Sequence, residues 1–348
     1  MLIFILKSMI NISVIILNWN GRELLEQFLP SVVAHTPSTL AEIVVADNGS
    51  TDDSIAMLQE KFPVIRILRF DKNYGFAEGY NKAISQTETT YTVLLNSDVE
   101  VTPHWLDAPL AVMENDPSVA AVQPKLLSQL NKNKFEYAGA AGGFLDIYGY
   151  PYCRGRIMYL VEEDQGQYDT QADILWATGA CLFVRTEVYK KEGGLDANFF
   201  AHQEEIDMCW RLRARGYNIV CAPESVVFHV GGATLTAESP KKTFLNFRNN
   251  LLMLYKNLPE NLLKRILRIR CWLDMIAAIK FFLEGHPKNF LAVFSARRDF
   301  NRLKKIYTAI REENMRKTTC QHISEILPKS LLYSFYINRK RKFSQICK

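Results

Sequence analysis

The chain has no Cys-x-x-Cys pair. Its seven cysteines (Cys153, Cys181, Cys209, Cys221, Cys271, Cys320 and Cys347) are scattered over 348 residues. Such an odd, dispersed set argues against a zinc site and for free thiols in a reducing compartment. No apolar run is long enough to span a bilayer: the opening MLIFILKSMINISVIIL is interrupted by Lys7, Ser8 and Asn11. No small-residue cleavage site follows it, so it does not read as a signal peptide; Met9 is an alternative start and Ile12–Leu17 the first core strand. There is no G-x-G-x-x-G, which argues against a dinucleotide-dependent dehydrogenase. The first polar turn, Asn18-Trp19-Asn20-Gly21, has no lysine, whereas a nucleotidyltransferase would usually carry a glycine- and lysine-rich phosphate loop there. Internal repeats and low-complexity segments are missing too. So is a basic stripe with interleaved aromatics, and a nucleic-acid partner is not expected.

Hydrophobic residues make up 48% of the chain and charged residues 23%, enough to bury a core and too little charge for compositional disorder. The net charge of +5 is uneven. From Lys256 onward 21 basic residues face 7 acidic ones, a net of +14, which leaves −9 before it. An acidic body thus carries a basic tail, a pattern that fits an anionic membrane surface better than nucleic acid.

Read in order, short apolar runs alternate with amphipathic stretches. Strands are expected at Ile12–Leu17, Ile43–Ala46, Ile65–Phe70 and Tyr91–Leu95, with helices over Arg22–His35 and Asp52–Lys61 between them and a segment Asn73–Asn81 that turns into a helix through Ser85. Ser50 and Asp53 have the spacing of a capping box. This alternation indicates a doubly wound, mostly parallel α/β sheet. A helix over Trp105–Asn115 and a strand at Val119–Val122 follow, and then Leu126–Asp173, rich in Gly, Tyr and Asn and weakly periodic. Beyond it are a strand at Leu182–Val184, a helix over Glu205–Arg215, and two late strands at Asn218–Cys221 and Val226–Val230. After Gly232 the pattern becomes helical, giving a body over residues 10–232 and a basic helical extension over 233–348.

In open α/β sheets ligands bind at the carboxyl ends of the strands. Those ends carry Asn18 and Asn20, Asp47 with Ser50, Asn73 with Gly75, and Asn96 with Asp98. Each alone is an ordinary turn residue; together they line one edge, where a nucleotide would sit. Asp47 can accept from a pyrimidine imide or a ribose hydroxyl. Gly75 and Gly79 at a helix start permit close backbone approach, although that spacing is more often tight helix packing. Asp98 closes the run Val93-Leu94-Leu95-Asn96-Ser97 and is the candidate ligand for a divalent cation, since Mg²⁺ takes one or two carboxylates and completes its shell with phosphate oxygens and water. Glu204, Glu205 and Asp207 open a helix. Acids complement the dipole there and Asp207 can pair with Arg211, but adjacent Glu204 and Glu205 cannot both be salt-bridged caps, so one is a candidate general base. His229, after Val226-Val227-Phe228, is a structural histidine unless it reaches Asp98.

The segments ISVIILNWNG, VVADNGSTDDS, NYGFAEGYNKA, LLNSDVEV, WATGACLFVRTEV, FFAHQEEIDMCWRLRARGY and VVFHVGG, in this order, resemble family 2 glycosyltransferases, most closely the rhamnosyltransferase-like branch that builds bacterial polysaccharides. The resemblance runs from Asn11 to Gly232 and implies a GT-A fold, a Rossmann-like nucleotide-binding half fused to an acceptor-binding half. It implies that Asp47 and the neighbouring Asn18, Asn20, Ser50, Asn73, Gly75, Asn81 and Asn96 contact a nucleoside-diphosphate sugar. It further implies that Asp98 and His229 hold Mg²⁺ or Mn²⁺, that Glu205 is the base with Glu204 its competitor, and that Trp176 and Gly179 face the acceptor. Asn96 stands where many members have Asp, so the site has one charge fewer than the usual D-x-D. The implied reaction is an inverting displacement onto a hydroxyl of a glycan or lipid-linked glycan, carried out in the cytoplasm at the inner face of the membrane. Two other classes were weighed: a nucleotidyltransferase, and a non-catalytic nucleotide-sugar-binding protein, which would not need Asp98, Glu205 and His229 together. Over Leu262–Phe294, Asp274, Lys280, Glu284 and His286 break any spanning run. That segment reads either as an interfacial amphipathic stretch, helped by the basic Arg339–Lys342, or as a helical unit packed on the body.

Overall fold

Strand β1 (Ile12–Asn18) shows why the sheet is covered on both faces. Ile12, Val14 and Ile16 join a core with Leu25, Leu29 and Val32 of helix α1 (Arg22–His35), while Ile15 points the other way into a core with Ala77 and Tyr80 of α3 (Gly75–Ser85). The two-residue period of a strand sends alternate β-branched side chains to opposite layers. The computed structural model describes residues 11–231 and 239–347; the segment before Asn11, with Met9, and Gly232 lie outside the described residues.

β1 pairs in parallel with β2 (Ala41–Asp47) and β4 (Tyr91–Leu95), and β2 pairs in parallel with β3 (Arg66–Arg69). The register sets Asn18 beside Asp47 and Asp47 beside Arg69, so the polar strand ends share one edge. Helix α2 (Ser54–Lys61) links β2 to β3. Strand β5 (Val99–Val101), α4 (Asp107–Asn115) and β6 (Val119–Ser128) follow.

The sheet is mixed rather than parallel throughout. β12 (Cys181–Arg185) lies antiparallel between β4 and β6, with Cys181 opposite Leu95. β13 (Asn218–His229) pairs in parallel with β6 and so regains the direction of β4. The larger sheet has the order β11-β13-β6-β12-β4-β1-β2-β3, where β11 is Ala172–Asp173, and β5 lies antiparallel on β13 with Val99 opposite His229. The two late strands expected from sequence are one, with an irregularity between Ala222 and Val226. Pro223, which cannot donate a ladder hydrogen bond, falls inside it.

The weakly periodic region forms a second, smaller sheet from β7 (Gly143–Asp146), β8 (Pro151–Cys153), β9 (Arg156–Ile157) and β10 (Leu160–Val161). Strands of two to four residues leave no alternation to read. After β12, α5 (Thr186–Lys191) and α6 (Glu204–Ala214) precede β13. The extension contributes α7 (Pro240–Asn257), α8 (Glu260–Leu283), α9 (Pro287–Leu303) and α10 (Tyr307–Lys317), then β14 (Ile326–Leu327), which adds in parallel to β7, and α11 (Phe343–Ile346). Leu251, Leu252, Met253 and Leu254 of α7 share a core with Trp210 and Leu212 of α6, so packing is continuous across the change in sequence pattern near residue 232. Lys256 on α7 is buried between Asp196 and Asp207, 2.7 Å from each. All seven cysteines are free.

Candidate active site

At the carboxyl edge of β1 and β2, short polar side chains replace backbone pairing. Asn18 Nδ2 donates to Asp47 Oδ1 and to Ser50 Oγ, each at 3.1 Å. Ser50 N–H donates to Asp47 Oδ2, and Asn20 N–H donates to Ser50 Oγ. The capping box expected at Ser50 and Asp53 does not form, because Ser50 is engaged across the turn; the Asp52 carboxylate accepts from Ser54 N–H instead. Asn18 Oδ1 is buried with no hydrogen-bond partner. Beside this cluster, Asn48, fully buried, accepts from Tyr74 N–H and donates to Gly75 O and Asn73 Oδ1, which holds the 73–75 turn against β2. Sequence reading passed over Asn48 because a turn asparagine has a local role by default. Gly75, at φ +79°, sits where a Cβ would be 2.5 Å from the Phe200 ring.

Asn81 lies elsewhere. Its amide bonds Leu195 O and accepts from Leu195 N–H and the Tyr189 hydroxyl, which spends it on packing α3 against the segment after α5 and corrects its expected place at the nucleotide edge. Trp176 also departs from expectation. It is buried, its indole N–H donates to Phe144 O, and its ring lies where Gly143 has no Cβ, so it packs in the interior beneath β7.

The turn after β4 brings Asp98 and His229 together. His229 Nε2 lies 3.1 Å from Asp98 Oδ1, and Asn96 Nδ2 lies 3.4 Å from the same nitrogen. The antiparallel β5–β13 pairing makes this contact. The other ring nitrogen, Nδ1, faces Glu136 Oε1 at 3.3 Å. Burial pushes the His229 pKa down, but the carboxylates of Asp98 and Glu136 more than reverse this and raise it to about 10. Burial likewise pushes Asp98 up, and the hydrogen bond and charge of His229 outweigh it, holding the carboxyl below its ordinary range. Glu136 carried no signal in the sequence, since it lies in the weakly periodic region, 93 positions from His229. Among the described residues no three metal-ligating side chains form a closed site. The buried carboxylate–imidazole pair has the chemistry of a partial site that a ligand's oxygens would complete.

Across the edge, Glu204 and Glu205 open α6. The chain enters this helix through a strained loop, with positive φ at Phe200, His202 and Gln203. Glu204 is fully buried, and burial first, then the Glu205 charge, raise its pKa well above the ordinary range. Glu205 is partly exposed; burial pushes it up to about 7, with the backbone N–H groups of Ile206 and Gly179 pulling the other way. One oxygen of each, Oε2, has no hydrogen-bond partner. Just before β12, Ala180 O accepts from Asn96 N–H at 3.0 Å. Asp207 takes the structural role open to it, bonded to Arg211, Lys256 and Asn257. Glu100 pairs with Lys132 on the surface. His202 is held down to about 4, by burial first and then the Lys242 charge, and its Nε2 has no partner.

A family model, glycosyl transferase family 2, matches residues 13–191, just over half of the chain. The chain belongs to this family. This glycosyltransferase is 28% identical over 234 residues to the O-antigen biosynthesis protein RfbC of Myxococcus xanthus, a match that covers 66% of this chain and 18% of that protein. It is 25% identical over 221 residues to N-acetylglucosaminyl-diphospho-decaprenol L-rhamnosyltransferase of Mycobacterium tuberculosis, covering 59% of this chain and 71% of the relative. The fold is GT-A: the crystal structure of GalNAc-T7 with UDP, GalNAc and Mn²⁺ superposes with a TM-score of 0.58 at 16% identity, over 86% of this chain and 56% of that one. The Rossmann-like sheet and helical extension read from sequence are thus present, with the antiparallel β12 as the departure.

Proposed function

We propose that this glycosyltransferase is an inverting enzyme that moves a sugar from a nucleoside diphosphate to a hydroxyl of a glycan or lipid-linked glycan in cell-surface polysaccharide synthesis. Similarity to a rhamnosyltransferase favours rhamnose as the sugar. The observation that carries the reading is the pairing of two sites around the strand edge: the buried Asp98–His229 contact, with Asn96 beside it, and Glu205 at the head of α6 with its carboxyl raised to about 7. The first is the leaving-group corner in this reading, and the second the base.

In this reading the Asn18–Asp47–Ser50 cluster receives the base and ribose of the donor, and Asn48 holds the 73–75 turn beside them. Asp98 and His229 hold a divalent cation, Mg²⁺ or Mn²⁺, and Asn96 lies beside it as a neutral group. When bound, such a cation neutralises the charge that develops on the departing diphosphate. Glu205 takes the proton from the acceptor hydroxyl; its raised pKa suits a base that works near neutrality. Burial keeps its proton affinity high, and its buried neighbour Glu204, raised further still, stays protonated beside it. Gly179 leaves room beside Phe76, where a Cβ would fall 2.8 Å from the ring.

No helix among the described residues is long and apolar enough to cross a membrane. The proposed location is peripheral, on the anionic inner face of the cell membrane. Helix α8 supports it, with Trp272, Ile276, Ile279 and Leu283 exposed in one stripe that Arg265 and Arg268 lead.

A thermal-shift panel of UDP, dTDP and GDP, each with and without Mn²⁺, tests the donor side. One or more diphosphates should raise Tm, and more so with Mn²⁺. No response to any of them would sink the reading.

A further inference from the structure

We propose that Glu136 is a positioning residue for the cation corner, and that it supplies through the His229 imidazole the negative charge that Asn96 withholds. The inference rests on the cation reading of Asp98 and His229 given above. Three side chains lie in a row: Asp98 Oδ1, 3.1 Å from His229 Nε2, and His229 Nδ1, 3.3 Å from Glu136 Oε1. All three are buried, at 6%, 5% and 4% exposure. A ring nitrogen that ligates a cation presents its lone pair, so the ring proton must sit on the other nitrogen. For Nε2 to face the cation, Nδ1 must carry the proton; Nδ1 makes no hydrogen bond among the described residues of the free chain, and Glu136 Oε1, 3.3 Å away, is the carboxylate oxygen placed to take one. Carboxylates behind metal-bound histidines fix the tautomer in this way and make the imidazole a stronger donor.

Two further features hold the carboxylate in place. Its second oxygen, Oε2, accepts from Ala138 N–H at 2.6 Å. Gly231, at φ +71°, leaves room for the first: a Cβ there would lie 3.1 Å from Oε1 and 3.9 Å from His229 Nδ1. Oε2 thus accepts a hydrogen bond, and Oε1 stands in ion-pair contact with Nδ1. A glutamine has only one acceptor oxygen, so Glu136→Gln must either turn its NH₂ toward Nδ1, which selects the tautomer that cannot ligate, or clash with Ala138 N–H. The charge argument is independent of the tautomer. The usual acidic pair at the cation is reduced here to one carboxylate by Asn96, and Glu136, one imidazole removed, restores the count.

The test is Mn²⁺ affinity, read by electron paramagnetic resonance on the full chain with UDP or dTDP, for wild type, Glu136→Gln, Glu136→Asp and Glu136→Gln/Asn96→Asp. Glu136→Gln should weaken Mn²⁺ binding by about 10- to 100-fold. Glu136→Asp should fall between it and wild type, and the added Asn96→Asp should recover part of the loss. Wild-type Mn²⁺ affinity in folded Glu136→Gln would overturn the proposal. Failure of the wild type itself to bind Mn²⁺ would instead overturn the cation reading. A measurement needing no variant at position 136 uses ¹⁵N-histidine NMR of the Mg²⁺–nucleotide complex, with the His229 signal assigned from His229→Gln. A proton on Nδ1 is expected, and a proton on Nε2 would refute the role.

Discussion

Glu205 carries a charge that the fold makes costly. Burial raises its carboxyl from an ordinary 4.5 to about 7, so the folded chain keeps a proton that the unfolded chain releases earlier. The stability this group contributes is fully present below about 4.5 and is lost as pH rises through about 7. Glu205→Gln should therefore be more stable than wild type at pH 8, by roughly 1–3 kcal/mol, and no more stable at pH 4. Denaturant melts at the two pH values check it; a variant destabilised at pH 8 would contradict the account. At this scale the sequence exposed the residues that end apolar runs: Asp47, Asp98, Glu205 and His229 stand out because a polar group closing a buried strand or opening a helix has a position readable from its neighbours. Glu136 and Asn48 were illegible. Their roles come from contacts many positions away, and nothing local distinguishes a glutamate in a glycine-rich stretch or an asparagine in a turn.

Among the elements, those with a clear period were readable. α1 and β4 fall where the pattern puts them, since fourteen residues of helical spacing and five consecutive buried residues leave little choice. The direction of β12 was not readable, because a buried apolar strand looks the same running either way and direction is set by what it pairs with. The helices of the extension were visible, and their charged residues do break the apolar run, but which of those residues face inward was not readable. Arg270 and Asp274 are buried partners, with Arg297 on α9 joining Asp274. Helix α7 also reaches the active site. Asn249 Nδ2 bonds the carbonyls of Phe199, Ala201 and His202, and Asn250 Nδ2 bonds Gln203 Oε1, so the strained entry to α6 is held from the extension. Phe76 N–H bonds Phe200 O and ties the same loop to α3. These contacts explain how non-glycine residues stay at positive φ just before Glu205, a conformation that surrounding structure must enforce.

Over the whole molecule, the charge asymmetry seen in the sequence has a surface to act on. The stripe Trp272, Ile276, Ile279 and Leu283 on α8 is exposed, and Leu291 on α9 is exposed near its end. Apolar side chains led by arginines suit an interface with anionic lipid. The full chain should co-sediment with vesicles containing anionic lipid and less with zwitterionic ones, and Trp272→Asp/Ile276→Asp should lose the binding; a wild type that ignores both vesicle types would remove the membrane claim. The central claim is that one cleft places a cation corner at Asp98 opposite a base at Glu205. Its most direct test measures sugar transfer and Mn²⁺-dependent nucleotide binding together in Asp98→Ala and Glu205→Gln. The account predicts that both variants lose transfer, that Asp98→Ala also loses the Mn²⁺-dependent part of nucleotide binding, and that Glu205→Gln keeps it. Wild-type turnover in purified Glu205→Gln, or unchanged Mn²⁺ dependence in Asp98→Ala, would contradict it.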